Sequence, residues 1–191
     1  LIMLAPADKN ECRHMLHTAY HHKGPAAVRY PRGCGSEVVV QEEMMQYPIG
    51  KGEYRRQGKQ IAILSFGSML EPAMQAAETL NATVINMRFI KPLDEQLIIE
   101  LCESHDYLVT IEENAICGGA GSAVGEFIAQ AHLKCRLLHL GLPDYFIEHG
   151  KPEDMLRAIQ LDGPGIVEQV HAYIEACQSD VKGRILTDIM N

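Results

Sequence analysis

The chain has 191 residues, 47% of them hydrophobic and 22% charged, with a formal net charge of −8. That suits one globular domain, or one domain with a piece of another. It excludes a general nucleic-acid binder, because no basic stripe offsets the acidic balance, and no apolar run approaches the roughly 18 residues of a membrane span.

In chain order, the opening "LIMLAP" reads as a short buried strand. Asp8 and Glu11 follow at capping-box spacing, so a helix is expected from there to about His21, where Gly24-Pro25 breaks it. "AAVRY" makes a second strand, closed by Pro31 to Gly35. This strand–helix–strand piece, residues 1–35, is too small to bury a core alone and reads as the end of an α/β domain. Residues 36–58 are polar and poorly periodic, which suits a linker with a short edge strand near "GKGEYRR".

A regular alternation fills residues 59–178. The strands are "IAILSF", "ATVINM", "YLVTIEE" and "RLLHLGL"; the helices are "EPAMQAAETL", "PLDEQLIIELCES" and "GSAVGEFIAQAHL". Continuous apolar strands separated by helices predict a mostly parallel sheet with helices on both faces, an α/β fold. Shorter helices are expected near 152–159 and 164–177, and the tail at 179–191 is expected to be disordered. The first residue is Leu1, inside an apolar run, so the chain reads as a fragment of a longer protein.

Six cysteines, at 12, 34, 102, 117, 135 and 177, form no CxxC pair. They suit thiols in a reducing, cytoplasmic compartment and not a disulfide framework. His14, His17 and His21 share one helix face, but their spread and the lack of a companion carboxylate favour a polar face over a metal site.

"GGAGSAVGEF" follows a strand and opens a helix, where backbone N–H groups can cradle an anion. It matches neither a dinucleotide fingerprint nor a Walker loop. The other reading is close packing, with small residues letting another backbone or a second subunit approach. Glu112 and Glu113 stand at a strand's carboxyl end, the usual functional edge of such a sheet, and alternation points them to opposite faces. No nucleophile elbow or Ser-His-Asp arrangement is legible, so no catalytic residue is assigned. In "VRYPRG", Pro31 fixes the backbone so that Arg32 projects from the strand end, a good mount for a guanidinium that meets an anion or a salt-bridge partner.

"APADKNECRHML", "GPAAVRYPRG", "PIGKG", "NMRFIKPLDEQLI", "EENAICGGAGSAVGE" and "LGLPDYFIEHG" together resemble, in this order, the carboxyl-terminal third of the 1-deoxy-D-xylulose-5-phosphate synthase family. The likeness covers about residues 1–178. Pieces such as "RFIKPLD" and "EENAI" are shared more loosely with transketolases and 2-oxoacid dehydrogenase β subunits. The resemblance implies a homodimeric, transketolase-type transferase that uses thiamine diphosphate and Mg²⁺. Such an enzyme condenses pyruvate with D-glyceraldehyde 3-phosphate, losing CO₂, on the way to isoprenoids, thiamine and pyridoxal. It implies that residues 1–35 end a pyrimidine-binding domain and that 59–178 form a transketolase C-terminal domain. It also implies that Arg32 binds the phosphate of glyceraldehyde 3-phosphate. The family's GDG…N motif, its histidines near the thiazolium and its activating glutamate have no counterpart here, so these residues alone are expected to be inactive. The alternatives are a non-catalytic dimerisation or regulatory module, or another transketolase-family enzyme.

Overall fold

The computed structural model describes residues 1–31 and 38–189, with side chains described as far as residue 179. β1 (Ile2–Leu4) is followed by α1 (Lys9–His21) and β2 (Ala26–Val28). Asp8 caps α1, its Oδ1 accepting the Glu11 N–H at 2.8 Å. β3 (Glu53–Arg56) and β4 (Ile61–Phe66) precede a single 3₁₀ turn at Gly67–Met69 and α2 (Leu70–Leu80). Next come β5 (Thr83–Asn86), β6 (Phe89–Lys91), α3 (Glu95–Ser104) and β7 (Tyr107–Ala115). The rest is α4 (Ala120–Gln130), β8 (Arg136–Leu142), α5 (Pro152–Ala158) and α6 (Gly163–Ile189).

The larger sheet has the order β3-β5-β4-β7-β8, parallel except for β3, which runs antiparallel along one edge. Strand periodicity explains how one sheet supports two cores. In β4, Ile61 and Ile63 join a core under α2 and α6, while Ala62, Leu64 and Phe66 join a second under α3 and α4. In β7, Tyr107, Val109 and Ile111 face the first core and Leu108 the second. Both faces are therefore dry, which is why these strands read as unbroken apolar runs. This is the fold class expected from the sequence.

The smaller sheet, β2-β1-β6, departs from the expected strand–helix–strand unit. β1 pairs in parallel with β2, but its other edge is covered by β6 from much later in the chain. Three residues are too few to show periodicity, so "FIK" was invisible as a strand. Phe89 of β6 packs fully buried with Ile2, Leu4 and Met15, which gives the amino-terminal piece the core it lacks alone.

Residues 38–52 contain no helix or strand, yet they are tied to α1. The Gln41 and Met45 N–H groups donate to Asn10 Oδ1 and His14 Nδ1, at 2.9 and 3.1 Å, and Tyr47 N–H donates to Thr18 Oγ1 at 2.9 Å. α6 runs on to Ile189, through the segment expected to lack structure. No proline stops it, and Lys182, Arg184 and Leu186 are good helix formers.

One buried ion pair joins the two sheets. Glu11 Oε2 accepts the Ala7 N–H, and Oε1 accepts both Asn86 Nδ2 and Arg88 Nε, each at 2.8 Å. Arg88 reaches Glu53 on β3 at 2.8 Å and lies over the Tyr47 ring at 4.1 Å. The Glu11 and Arg88 side chains are only 5% and 13% exposed. Removing one partner of such a pair leaves an uncompensated buried charge. Arg88→Met should therefore destabilise the chain by about 3–5 kcal/mol in urea titration, and adding Glu11→Gln should recover part of that loss.

Candidate functional site

The chain crosses from β4 to β5 on one side of β4 and then returns to place β7 on the other side. The carboxyl ends of β4 and β7 thus flank the point where strand order reverses, the place where open α/β sheets form a crevice. Ser68 follows β4 here, and Glu112, Glu113 and Asn114 end β7. Alternation sends the two glutamates apart, as the sequence indicates. Glu113 Oε2 accepts the Ser68 hydroxyl at 2.5 Å, and its main-chain oxygen accepts Arg29 Nη2 at 2.5 Å. Arg29 arrives directly after β2, so the smaller sheet is pinned to this edge. A cavity of about 550 Å³ opens beside it, lined by Arg29, Lys91, Glu112, Asn114, Gly119 and Phe127 among others.

Glu112 turns to the other face and is 5% exposed. Its Oε2 accepts the Ala120 N–H at 2.8 Å and its Oε1 the Gly121 N–H at 2.7 Å. The anion at the amino end of α4 is therefore the protein's own carboxylate. It satisfies donors that the helix start leaves free and it complements the helix dipole. The glycines of "GGAG" make this approach possible. A Cβ on Gly119 would collide with Glu112 Oε1 and the Ala115 main-chain oxygen. One on Gly121 would stand 2.5 Å from Thr110 Oγ1 and 2.8 Å from His139 Nδ1. Of the two readings of this segment, close packing describes what these glycines do, and what approaches is the chain's own β7.

Thr110 Oγ1 and His139 Nδ1 are 2.7 Å apart, completing a polar layer beneath the α4 start. Burial pushes the His139 imidazole below its ordinary value, against the opposing charge of Glu112. This layer is not legible in the sequence, because its two members lie on β7 and β8 and only strand pairing brings them together.

Arg32 lies outside the described residues. Its neighbours Tyr30 and Pro31 line a second cavity, of about 570 Å³, together with Cys12, Arg13, Leu16 and His17 of α1. The three helical histidines have separate duties. His14 is fully buried, accepting the Met45 N–H at Nδ1, so Nε2 carries the proton and donates to Gln41 Oε1 at 3.2 Å. His17 and His21 stack edge-on with ring centres 4.4 Å apart. Among the described residues, no three His, Cys, Asp or Glu side chains are grouped to hold a metal ion. With Glu112 filling the α4 terminus as well, the described residues do not fit a site for Mg²⁺ and a diphosphate.

The family profile described as "Transketolase, C-terminal domain" matches residues 50–166. The chain is similar to 1-deoxy-D-xylulose-5-phosphate synthases: 54% identical over 174 residues to that of Photobacterium profundum, and 56% over 176 residues to that of Shewanella amazonensis. These alignments cover 91% and 92% of this chain but 28% of each relative, so the chain spans little more than a quarter of their length. Among solved structures, a split-gene transketolase described as an inactive beta4 tetramer is 28% identical with a TM-score of 0.81, covering 91% of this chain and 58% of that one. A transketolase mutant from Pichia stipitis shares the fold, with a TM-score of 0.60 at 14% identity over 91% of this chain and 25% of that one.

Two expectations follow from the α4 start. Gly121→Ala forces a methyl against Thr110 and His139 and should cost about 1–3 kcal/mol in denaturant titration, and Glu112→Ala, which strips two charge-assisted bonds, about 2–4 kcal/mol. The depressed His139 also makes stability depend on pH. The unfolded chain takes up a proton near pH 6.5 that the folded chain refuses until lower pH, so stability falls as pH drops below about 6.5. His139→Asn, which keeps an acceptor near Thr110, should flatten the slope of unfolding free energy against pH in that window.

Proposed function

Because the chain belongs to the transketolase C-terminal domain family, we propose that it works as the carboxyl-terminal part of a 1-deoxy-D-xylulose-5-phosphate synthase. The complete enzyme would join pyruvate to D-glyceraldehyde 3-phosphate, releasing CO₂ and giving 1-deoxy-D-xylulose 5-phosphate. The observation that carries this reading is identity above 50% to synthases over nine-tenths of the chain. The loosely shared transketolase motifs would not sustain such identity across both the amino-terminal piece and the main domain.

In this reading the chain contributes architecture and one substrate contact. Thiamine diphosphate, which supplies the carbanion chemistry when bound, and Mg²⁺ would be held by the part of the enzyme that the relatives possess beyond this span. The chain's own α/β domain would buttress the amino-terminal piece through β6, Arg29 and the Glu11–Arg88 pair. Arg32 would grip the phosphate of glyceraldehyde 3-phosphate, its planar fork suited to two phosphate oxygens at once. The complete enzyme would be a homodimer. The chain alone would be inactive, as the beta4 assembly of the split-gene transketolase is described to be.

Arg32→Ala in the complete enzyme tests this assignment. Losing charge-assisted bonds of roughly 1.5–3 kcal/mol should raise KM for glyceraldehyde 3-phosphate about 10- to 100-fold and leave KM for pyruvate within about twofold. Equal increases for both substrates would sink the phosphate role. Release of CO₂ from pyruvate by the 191-residue chain alone, at the complete enzyme's rate, would sink the proposed division of labour.

A further inference from the structure

Cys102 and Cys135 lie 33 residues apart and belong to different elements, the last turn of α3 and the loop that enters β8. The fold brings them into contact, with Cys102 Sγ donating to Cys135 Sγ at 3.2 Å. Both are half-buried. They share the wall of a polar cavity of about 560 Å³ at the amino ends of β7 and β8, the end of the sheet opposite Glu112. Its other lining residues are Glu103, Ser104, His105, Asp106, Lys134 and Arg136.

We propose that Cys102 and Cys135 form a reversible oxidation site, closing to a disulfide when a low-molecular-weight disulfide enters this cavity. The distance is the first support. A disulfide needs sulfurs about 2.05 Å apart, so the pair must close by only a little over 1 Å. One member sits at the end of a helix and the other in a loop, where such a movement disturbs neither sheet. The two sulfurs play different parts in that contact, which orders the chemistry. In their contact Cys102 Sγ is the donor and Cys135 Sγ the acceptor, so Cys135 is the sulfur already placed to be hydrogen-bonded as a nucleophile. Burial, the hydrogen bond to Cys135 and the charge there push the Cys102 thiol up to about 12, with Glu103 adding to the effect. Cys135 is therefore the attacking sulfur and Cys102 the resolving one.

The exchange balances. The Cys135 thiolate attacks one sulfur of the small disulfide, forming a mixed disulfide, and the released small thiolate takes up the proton that Cys135 lost. Cys102 then attacks Cys135 Sγ and expels the second small thiol, which receives the Cys102 proton. The two protein thiols lose two electrons and two protons, and the small disulfide gains them. An excess of small thiol over small disulfide reverses the sequence. The product would tie α3 to β8 across the face of the sheet that carries α3 and α4. None of this depends on the reaction proposed above.

The test uses the folded 191-residue chain and graded mixtures of reduced and oxidised glutathione, with acid quenching and peptide mass spectrometry. The expected result is a linked peptide joining Cys102 to Cys135 that disappears when reductant is restored. In Cys102→Ser the reaction should stop at a glutathione adduct on Cys135. In Cys135→Ser, Cys102 should stay unmodified. The proposal is overturned if both thiols survive the most oxidising mixture, if either pairs instead with Cys117 or Cys177, or if the adduct builds up on Cys102 in the Cys135→Ser variant.

Discussion

The structure depends on one buried carboxylate, Glu11. Taken alone, α1 and its two strands cannot bury enough surface to hold together, and the large sheet has no reason to retain them. Glu11 answers both needs by using its two oxygens differently. One accepts a main-chain N–H at the start of α1, and the other accepts from Asn86 and Arg88 at the end of β5. Arg88 has φ +57°, a left-handed conformation that an ordinary side chain adopts at a cost. That turn takes the chain out of β5 and delivers Phe89–Lys91 as β6 to the bare edge of β1. The same residue makes the bend, pairs with Glu11 and stacks on Tyr47, so helix, linker and both sheets are fixed by one guanidinium.

What was legible in the sequence follows from how much of each feature is local. β4, β5 and β7 could be read because burial on both faces writes itself as a mostly apolar run, and the edge strand β8 by its closely spaced leucines. α1 could be read because its cap, Asp8, sits three residues from the N–H it accepts. β6 could not, since its pairing partner is β1 at the far end of the chain and three residues carry no period. The same reason hid the Glu11–Arg88 pair and the tie between residues 41–47 and α1, which make a polar stretch that reads as a linker into an ordered strap. Spacing brought His14, His17 and His21 to one face, but it could not tell that His14 is a fully buried core residue with both ring nitrogens engaged. The contact between Cys102 and Cys135 was equally hidden, because only the packing of α3 beside the β8 entrance brings them together.

The strand-end glutamates show how a functional signature and a structural one can share residues. A glycine-rich turn after a parallel strand offers free N–H groups to any anion of the right reach. A carboxylate on the preceding strand, eight residues before the first helical N–H, supplies that anion from within. Occupation by Glu112 removes the need for a ligand. It also makes the glycines obligatory, because the incoming carboxylate and the Thr110–His139 layer occupy the space where side chains would stand.

That occupation bears on where an anionic substrate could be recognised. Two arginines flank Tyr30-Pro31 in the strand-end motif, and they are not equivalent. Arg29 donates to the main-chain oxygen of Glu113, so its guanidinium serves the junction between the two sheets. With Arg29 committed and the α4 terminus filled, the phosphate reading rests on Arg32, one residue beyond the proline. The proline then has a physical purpose in that reading. It ends the β2 edge, where a donor would otherwise extend the ladder, and in that reading it separates Arg29, which holds the junction between the sheets, from Arg32, which would meet the phosphate.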